Sequence, residues 1–411
     1  MPSKNLTREI EVDITSKYVI NDIDHGDNVR VRIVASDDNW IESDAIAQLK
    51  KTAELPGMKL AVGLPDLHPS KGQPIGAAFV TENIIYPHLV GSDIGCGMAL
   101  YEFNKSRRKL KLDKLEKQLR NFESIDEEVA DCVDSPPDLS AFYFPNELNK
   151  KLGTVGGGNH FFECQSVHEI IDEAAFDCIN VNKNSLFLLV HSGSRGLGQH
   201  ILTQHVSQYG GAGIKDDSAD QYLLKHNFAN DWAVLNRQVI ADKIERLVGS
   251  ELKNILDVSH NHVYPLSASE CEALQLNTDQ KYWIHRKGAS PSNQGLVMIP
   301  GSRGSLSYLV KPVISSNGHS AISGFSLAHG AGRKWKRSDC KGRICHRFTV
   351  KELESTPIGS RVICENRNLL YEEAPQAYKN IDGVVSDLVD AGLITVIASF
   401  KPMISFKTTR K

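Results

Sequence analysis

Five glycine-rich stretches, each carrying a side chain able to hold a metal or attack phosphorus, constrain this chain more than any other feature. They are Gly91-Ser92-Asp93-Ile94-Gly95-Cys96-Gly97-Met98, the run from Gly153 through Gly156-Gly157-Gly158-Asn159-His160-Phe161-Phe162-Glu163, His191-Ser192-Gly193-Ser194-Arg195-Gly196, Pro300-Gly301-Ser302-Arg303-Gly304, and Ala328-His329-Gly330-Ala331-Gly332-Arg333. A sixth polar cluster, Ser259-His260-Asn261-His262, follows an apolar run. Glycine reaches positive φ and lets backbone approach a ligand closely. Its repeated pairing with His, Asp and Cys predicts turns that deliver polar groups into one cavity.

Between these turns lie short apolar runs. Alternation predicts strands at 9–14 and 29–35, and apolar runs predict others at 60–64, 75–80, 98–103, 185–191, 255–260, 282–285, 296–299 and 393–400. A helix is expected from Asp44 to Leu55, stopped by Pro56-Gly57, with a long one near 217–249 and helical pieces in 365–391. No βαβ unit repeats, so the class is α+β, with mixed sheets flanked by helices. No Gly/Ser-rich or Pro-rich linker divides the chain, which predicts one compact catalytic domain over residues 1–411. Residues 105–120 hold eight basic side chains and residues 123–138 seven acidic ones, read as a solvated helix and loop within a surface insertion near 104–150.

A formal charge of −3 excludes a uniformly basic nucleic-acid binder but leaves local basic patches open. No apolar run reaches membrane-spanning length, and the N-terminal residues have no apolar signal core. Eight cysteines form no CxxC pair, so a reduced, cytoplasmic chain is expected, with any special cysteine a ligand or nucleophile. The P-loop, GxSxG and HExxH patterns are absent.

Asp93 and Cys96, three apart in a tight turn, can both reach one metal or bridge two. Thiolate, imidazole and carboxylate together suit Zn²⁺, Mn²⁺ or Fe²⁺, and spacing does not separate them. The alternative is a turn cysteine buried behind Met98.

The ordered set GSDIGCGM, GGGNHFFE, HSGSRGLG, SHN, HRKGA (His285 to Ala289), PGS and HGAGR resembles the RtcB family of RNA ligases, over residues from about 60 to the C-terminus. The resemblance implies an enzyme that joins an RNA 3′-phosphate or 2′,3′-cyclic phosphate to a 5′-hydroxyl, using GTP and two Mn²⁺ ions through a GMP bonded to histidine. It assigns that histidine to His329. It assigns the metals to Asp93, Cys96 as the bridge, His160, His191 and His260. Nucleotide contacts fall on Asn159, His160, Phe161, Phe162, Glu163, His260, Asn261, Pro300, Gly301, Ser302, Arg303, Ser307, His329, Gly330, Ala331, Gly332 and Lys407.

Where many members have PGSM, this chain has Pro300-Gly301-Ser302-Arg303. Lys334-Trp335-Lys336-Arg337-Ser338-Asp339-Cys340 follows HGAGR, and the chain ends Phe406-Lys407-Thr408-Thr409-Arg410-Lys411. These departures resemble the bacterial release factor H-coupled branch, which implies repair of cleaved RNA rather than tRNA splicing and a functional link to a release-factor-like protein. Arg195, Arg333, Lys334, Lys336 and Arg337 are candidates for RNA phosphate, with Trp335 placed to stack on a base; a solvated loop is the alternative reading of the basic run. Two other functions use the same residues: a metal-dependent phosphoesterase or nuclease with no covalent nucleotide, and a non-catalytic RNA-binding accessory protein.

Overall fold

Pro56 and Gly57 end the helix Ser43–Ala53 and turn the chain into the strand Met58–His68. Gly57 sits at φ +76°, and a Cβ there would meet Glu82 O at 2.9 Å, so the turn requires glycine. The computed structural model describes residues 29–109, 111–124, 137–142, 144–314 and 319–410. The expected strand at 9–14 and much of the acidic run lie outside them.

Met58–His68 is second in a five-stranded sheet ordered Arg30–Ile33, Met58–His68, Ile75–Glu82, Tyr282–Lys287, Asn261–Pro265. Only its first pair is parallel. A larger, eight-stranded sheet runs Val297–Pro300, Ser307–Pro312, Ile394–Thr408, Phe161–Ile170, Ser185–Ser192, Gly97–Ser106, Leu252–Ser259. Arg361–Cys364 joins it, parallel to the C-terminal strand. Ala289–Pro291 and Ser326–Ala328 form a short antiparallel ribbon. The two larger sheets share a core in which Leu60, Val62 and Val80 meet Val297, Ile299, Val310 and the helix Ile381–Asp390. On the larger sheet, Ile240, Ala241 and Ile244 of the helix Asp216–Val248 cover Phe162, Leu188 and Ile404. The α+β class is the one expected.

Several boundaries differ from the sequence reading. The C-terminal strand continues to Thr408, eight residues beyond the expected run at 393–400, and so carries Lys407. Phe161–Ile170 and Ser307–Pro312 are strands that polar and glycine-rich surroundings hid. The helix Gly196–Tyr209 starts inside a glycine turn. The stretch 104–150 is not simply a surface insertion. Residues 104–106 extend a strand, and Leu115, Leu119 and Phe122 are buried, with Phe122 edge-on to Phe162 and Phe406. The helix Leu112–Leu119 is amphipathic, so its basic face is solvated while its leucines wall the core.

Candidate metal centre and nucleotide cleft

Strand register brings the predicted ligands together. Gly97 lies opposite Ser192 on one side and Ser259 on the other, so Cys96, His191 and His260 meet at the same end of three neighbouring strands of the larger sheet. Phe161 pairs with His191, which adds His160. Cys96 Sγ is 3.3 Å from His160 Nε2 and 3.2 Å from His191 Nε2. Asp93 Oδ2 is 2.7 Å from His160 Nε2, and the Nε2 atoms of His191 and His260 are 3.4 Å apart. Two potential ligand groups result, Cys96–His191–His260 and Asp93–Cys96–His160, and they share the sulfur. Gly193 leaves room for the carboxylate, since a Cβ there would lie 2.3 Å from Asp93 Oδ1.

The electrostatics fit divalent cations. Burial, reinforced by Asp93, pushes the Cys96 thiol well above its ordinary value. Burial and the neighbouring imidazoles push His191 and His260 well below theirs. Burial opposes the Asp93 carboxylate, but His160 and Arg195 outweigh it and hold it below the usual range. The pocket is therefore rich in neutral nitrogen donors around a thiol that needs a cation to ionise. Asp93 Oδ1 and His260 Nδ1 are buried without a hydrogen-bond partner, as expected of a polar cluster built around an ion.

His329 follows the strand Ser326–Ala328 and packs its ring against His260, with centroids 4.8 Å apart. Its Nδ1 lies 2.6 Å from Asp66 Oδ2, an ion-pair distance without the alignment of a hydrogen bond, while its backbone N–H donates to the same oxygen at 3.2 Å. Gly332, at φ +69°, allows this approach, because a Cβ there would meet Asp66 O at 2.4 Å.

Beside the cluster opens a cavity of about 770 Å³, lined by Asn159, Phe161, Glu163, His191, Pro300 to Arg303, His329 to Arg333 and Lys407. That is ample for a nucleotide. Burial lifts the Glu163 carboxyl to about 7 against hydrogen bonds from Ser405 and Gln165. Lys407 Nζ donates to Gly158 O at 3.2 Å and His160 O at 3.1 Å, tying the C-terminal strand to the glycine turn.

Other predicted contacts are placed differently. The Phe162 side chain points away from the cavity and stacks on Phe406 at 4.4 Å, because strand alternation sends Phe161 and Glu163 one way and Phe162 the other. Arg303 borders the cavity, but its guanidinium donates to the carbonyls of Glu373, Leu353 and Leu370. Arg333 is committed to Glu373, Tyr378, Cys340 and the carbonyls of Glu372 and Trp335, so it is a structural hub rather than a free phosphate contact. Asn261 bridges Asp93 O and Gly288 N, and Ser307 accepts from Gln165 outside the lining. Lys334 and Arg343 flank the Trp335 ring, which limits its face for stacking. Arg195 Nη1 lies 3.2 Å from His160 Nδ1, behind the cluster. Lys336 and Arg337 remain at the cavity rim with exposed side chains.

Sequence reasoning missed Asp66, His68 and Glu373. Asp66 and His68 follow directly on an apolar run in Pro65-Asp66-Leu67-His68-Pro69, and that placement was the available signal. Glu373 had none. It is buried in the cavity wall, 3.1 Å from Arg333, 3.5 Å from Arg337 and 3.4 Å from Lys407, and accepts from Tyr378. Burial opposes its charge, but Lys407, Arg337 and Arg333 outweigh it and lower its pKa from 4.5 to about 2. A carboxylate depressed in this way stabilises the fold above its unfolded pKa and loses that contribution as pH falls. Glu373→Gln should therefore cost about 3 kcal/mol at pH 7. In urea titrations the gap from wild type should hold down to about pH 4.5 and close toward about pH 2. An equal stability of both proteins at pH 7 would remove Glu373 from this role.

A family model described as tRNA-splicing ligase RtcB matches residues 48–141 and 144–408, and the chain belongs to this RtcB family of RNA ligases. It is 46% identical over 378 residues to the RNA-splicing ligase RtcB2 of Escherichia coli, covering 92% of this chain and 95% of that protein. It is 29% identical to the tRNA-splicing ligase RtcB of Nanoarchaeum equitans, over 92% and 95% of the two chains. It is 26% identical to the RNA-splicing ligase RtcB homolog 1 of Entamoeba dispar, over 88% and 81%. No helix among the described residues is long and apolar enough to cross a membrane.

Proposed function

We propose that residues 1–411 form a single GTP- and Mn²⁺-dependent ligase domain that joins RNA 3′-phosphate or 2′,3′-cyclic phosphate ends to 5′-hydroxyl ends through guanylylated His329. The observation that carries this reading is the pair of ligand groups sharing Cys96, with the His329 ring packed on their edge. Asp93, Cys96, His160, His191 and His260 would hold two ions, whose charge offsets that of the phosphates. Asp66 occupies the Nδ1 side of His329, which leaves Nε2 to attack the α-phosphorus of GTP. A P–N bond forms and pyrophosphate leaves. Transfer of the GMP to an RNA 3′-phosphate activates that phosphate; a 2′,3′-cyclic end must first be opened by water. Attack by the 5′-hydroxyl then forms the phosphodiester and releases GMP. Glu163 and Lys407 line the cavity as acceptor and cation for the nucleotide, and Lys336 and Arg337 sit where incoming RNA phosphates would pass.

The departures at Arg303, after HGAGR and at the C-terminal residues support repair of cleaved RNA and a functional link to a release-factor-like protein, and the free cysteines among the described residues support a reduced, cytoplasmic setting. Incubation with labelled GTP and Mn²⁺ should label the chain with acid-labile, alkali-stable GMP. Metal-dependent cleavage of RNA without any such label would favour the phosphoesterase reading. In ligation assays, a strand ending in 2′,3′-cyclic phosphate should join a 5′-hydroxyl strand with no 5′-phosphate present. Joining confined to 5′-phosphate ends, or driven by ATP alone, would place the enzyme in another ligase class.

A further inference from the structure

We propose that Asn236 and Arg237, side by side on the helix Asp216–Val248, are the positioning residues of the metal centre. They would hold the ligand-bearing turns against one another so that metal affinity passes through their hydrogen bonds. The inference rests on the metal reading above.

Both side chains are fully buried, on a helix that also buries Ala229, Trp232, Ala233, Ile240, Ile244 and Lys243. A guanidinium is costly to bury unless it is paired and its N–H groups are satisfied. Asp257 supplies the pair, at 3.0 Å from Nε to each carboxylate oxygen. The remaining donors go to the metal turns. Nη1 donates to Gly95 O at 2.7 Å, the carbonyl just before Cys96, and to Ser192 O at 2.8 Å, the carbonyl just after His191. Nη2 reaches Ser259 Oγ at 3.4 Å, just before His260. One planar fork thus touches the backbone or side chain next to three of the five ligands.

Asn236 adds the fourth turn. Its Oδ1 accepts from Gly153 N at 2.7 Å, and its Nδ2 donates to Ser192 Oγ at 3.0 Å and to Thr154 O and Gly193 O at 3.3 Å. The turn that leads to His160 is thereby fastened to the turn that follows His191. The helix also sits directly on the first turn, since a Cβ on Gly95 would meet Ala233 Cβ and Asn230 Cα at 2.8 Å. Neither side chain lines the cavity, so neither is placed to touch substrate.

The test uses Co²⁺ on the full chain, read by its thiolate-to-metal charge-transfer band and by titration of affinity, without nucleotide or RNA. Wild type should show the band; its absence would remove the metal reading itself, independently of the clamp. Arg237→Lys keeps the charge but not the fork. It should weaken Co²⁺ binding about ten- to hundredfold and lose or shift the band. Val239→Ala is the control, a buried apolar truncation on the same helix that should lower the melting temperature while leaving the Asn236 and Arg237 hydrogen bonds in place. It should keep wild-type affinity. Wild-type affinity and band in Arg237→Lys, or an equal affinity loss in Val239→Ala, would overturn the proposal. Should Arg237→Lys fail to fold, Asn236→Ala takes its place: about tenfold weaker binding supports the clamp, and unchanged binding overturns it.

Discussion

A His329→Ala variant should bind Mn²⁺ and GTP yet show no covalent GMP, with RNA joining at background. All five proposed metal ligands remain in place, because His329 contacts the cluster only through its ring against His260. The variant removes an imidazole that packs on the candidate metal cluster and lines the adjoining cavity without belonging to either ligand group. It should not be silent in stability. His329 is buried and faces Asp66, a fully buried carboxylate whose Oδ1 already lacks a partner. Truncation should therefore cost about 1–2 kcal/mol, more than a typical surface change. Measuring labelled-GTP transfer, metal content and melting temperature on the same sample separates chemistry from folding. Labelling of His329→Ala at the wild-type rate would move the nucleophile to another residue.

Cys96→Ala should produce the complementary pattern, losing both metal and guanylylation. The sulfur belongs to both ligand groups, so its removal weakens both sites at once. The pH dependence carries the same signature. Burial and Asp93 hold the thiol protonated well above its ordinary pKa, so metal binding must expel a proton. Over that range the wild-type metal dissociation constant should rise about tenfold for each unit that pH falls, one proton being released per bridging thiol. Titrations of Mn²⁺ across pH should show this slope in wild type. Full metal occupancy in Cys96→Ala would remove the bridging role. A pH-independent affinity in wild type would show that the thiolate is not a ligand.

What the sequence by itself determined was the side-chain types of the candidate ligands and the local turns that carry them. The residue types Asp93, Cys96, His160, His191 and His329 were legible because each sits in a glycine-rich turn beside an apolar run, and His260 because it follows such a run, a purely local signal. Its motif order was enough to indicate the family, and the absence of a repeated βαβ unit enough to indicate α+β. The tertiary structure decided which of these turns meet. Cys96 and His260 are neighbours because Gly97 is in register with Ser192 and Ser259, a pairing between distant strands that no local pattern encodes. It also decided which cations are free. In sequence Arg303 reads as a nucleotide contact and Arg333 as an RNA-phosphate contact, but the fold gives their donors to backbone carbonyls and, for Arg333, to Glu373. Phe162 shows the same limit within a single motif, since the face a strand residue presents depends on a register set from outside. Glu373, Asn236 and Arg237 carried no local mark, because a polar residue on an apolar face acquires its role only when the packing brings charges and carbonyls to it. Short-range sterics and side-chain chemistry can be read along one chain, whereas burial and charge pairing are properties of the assembled fold.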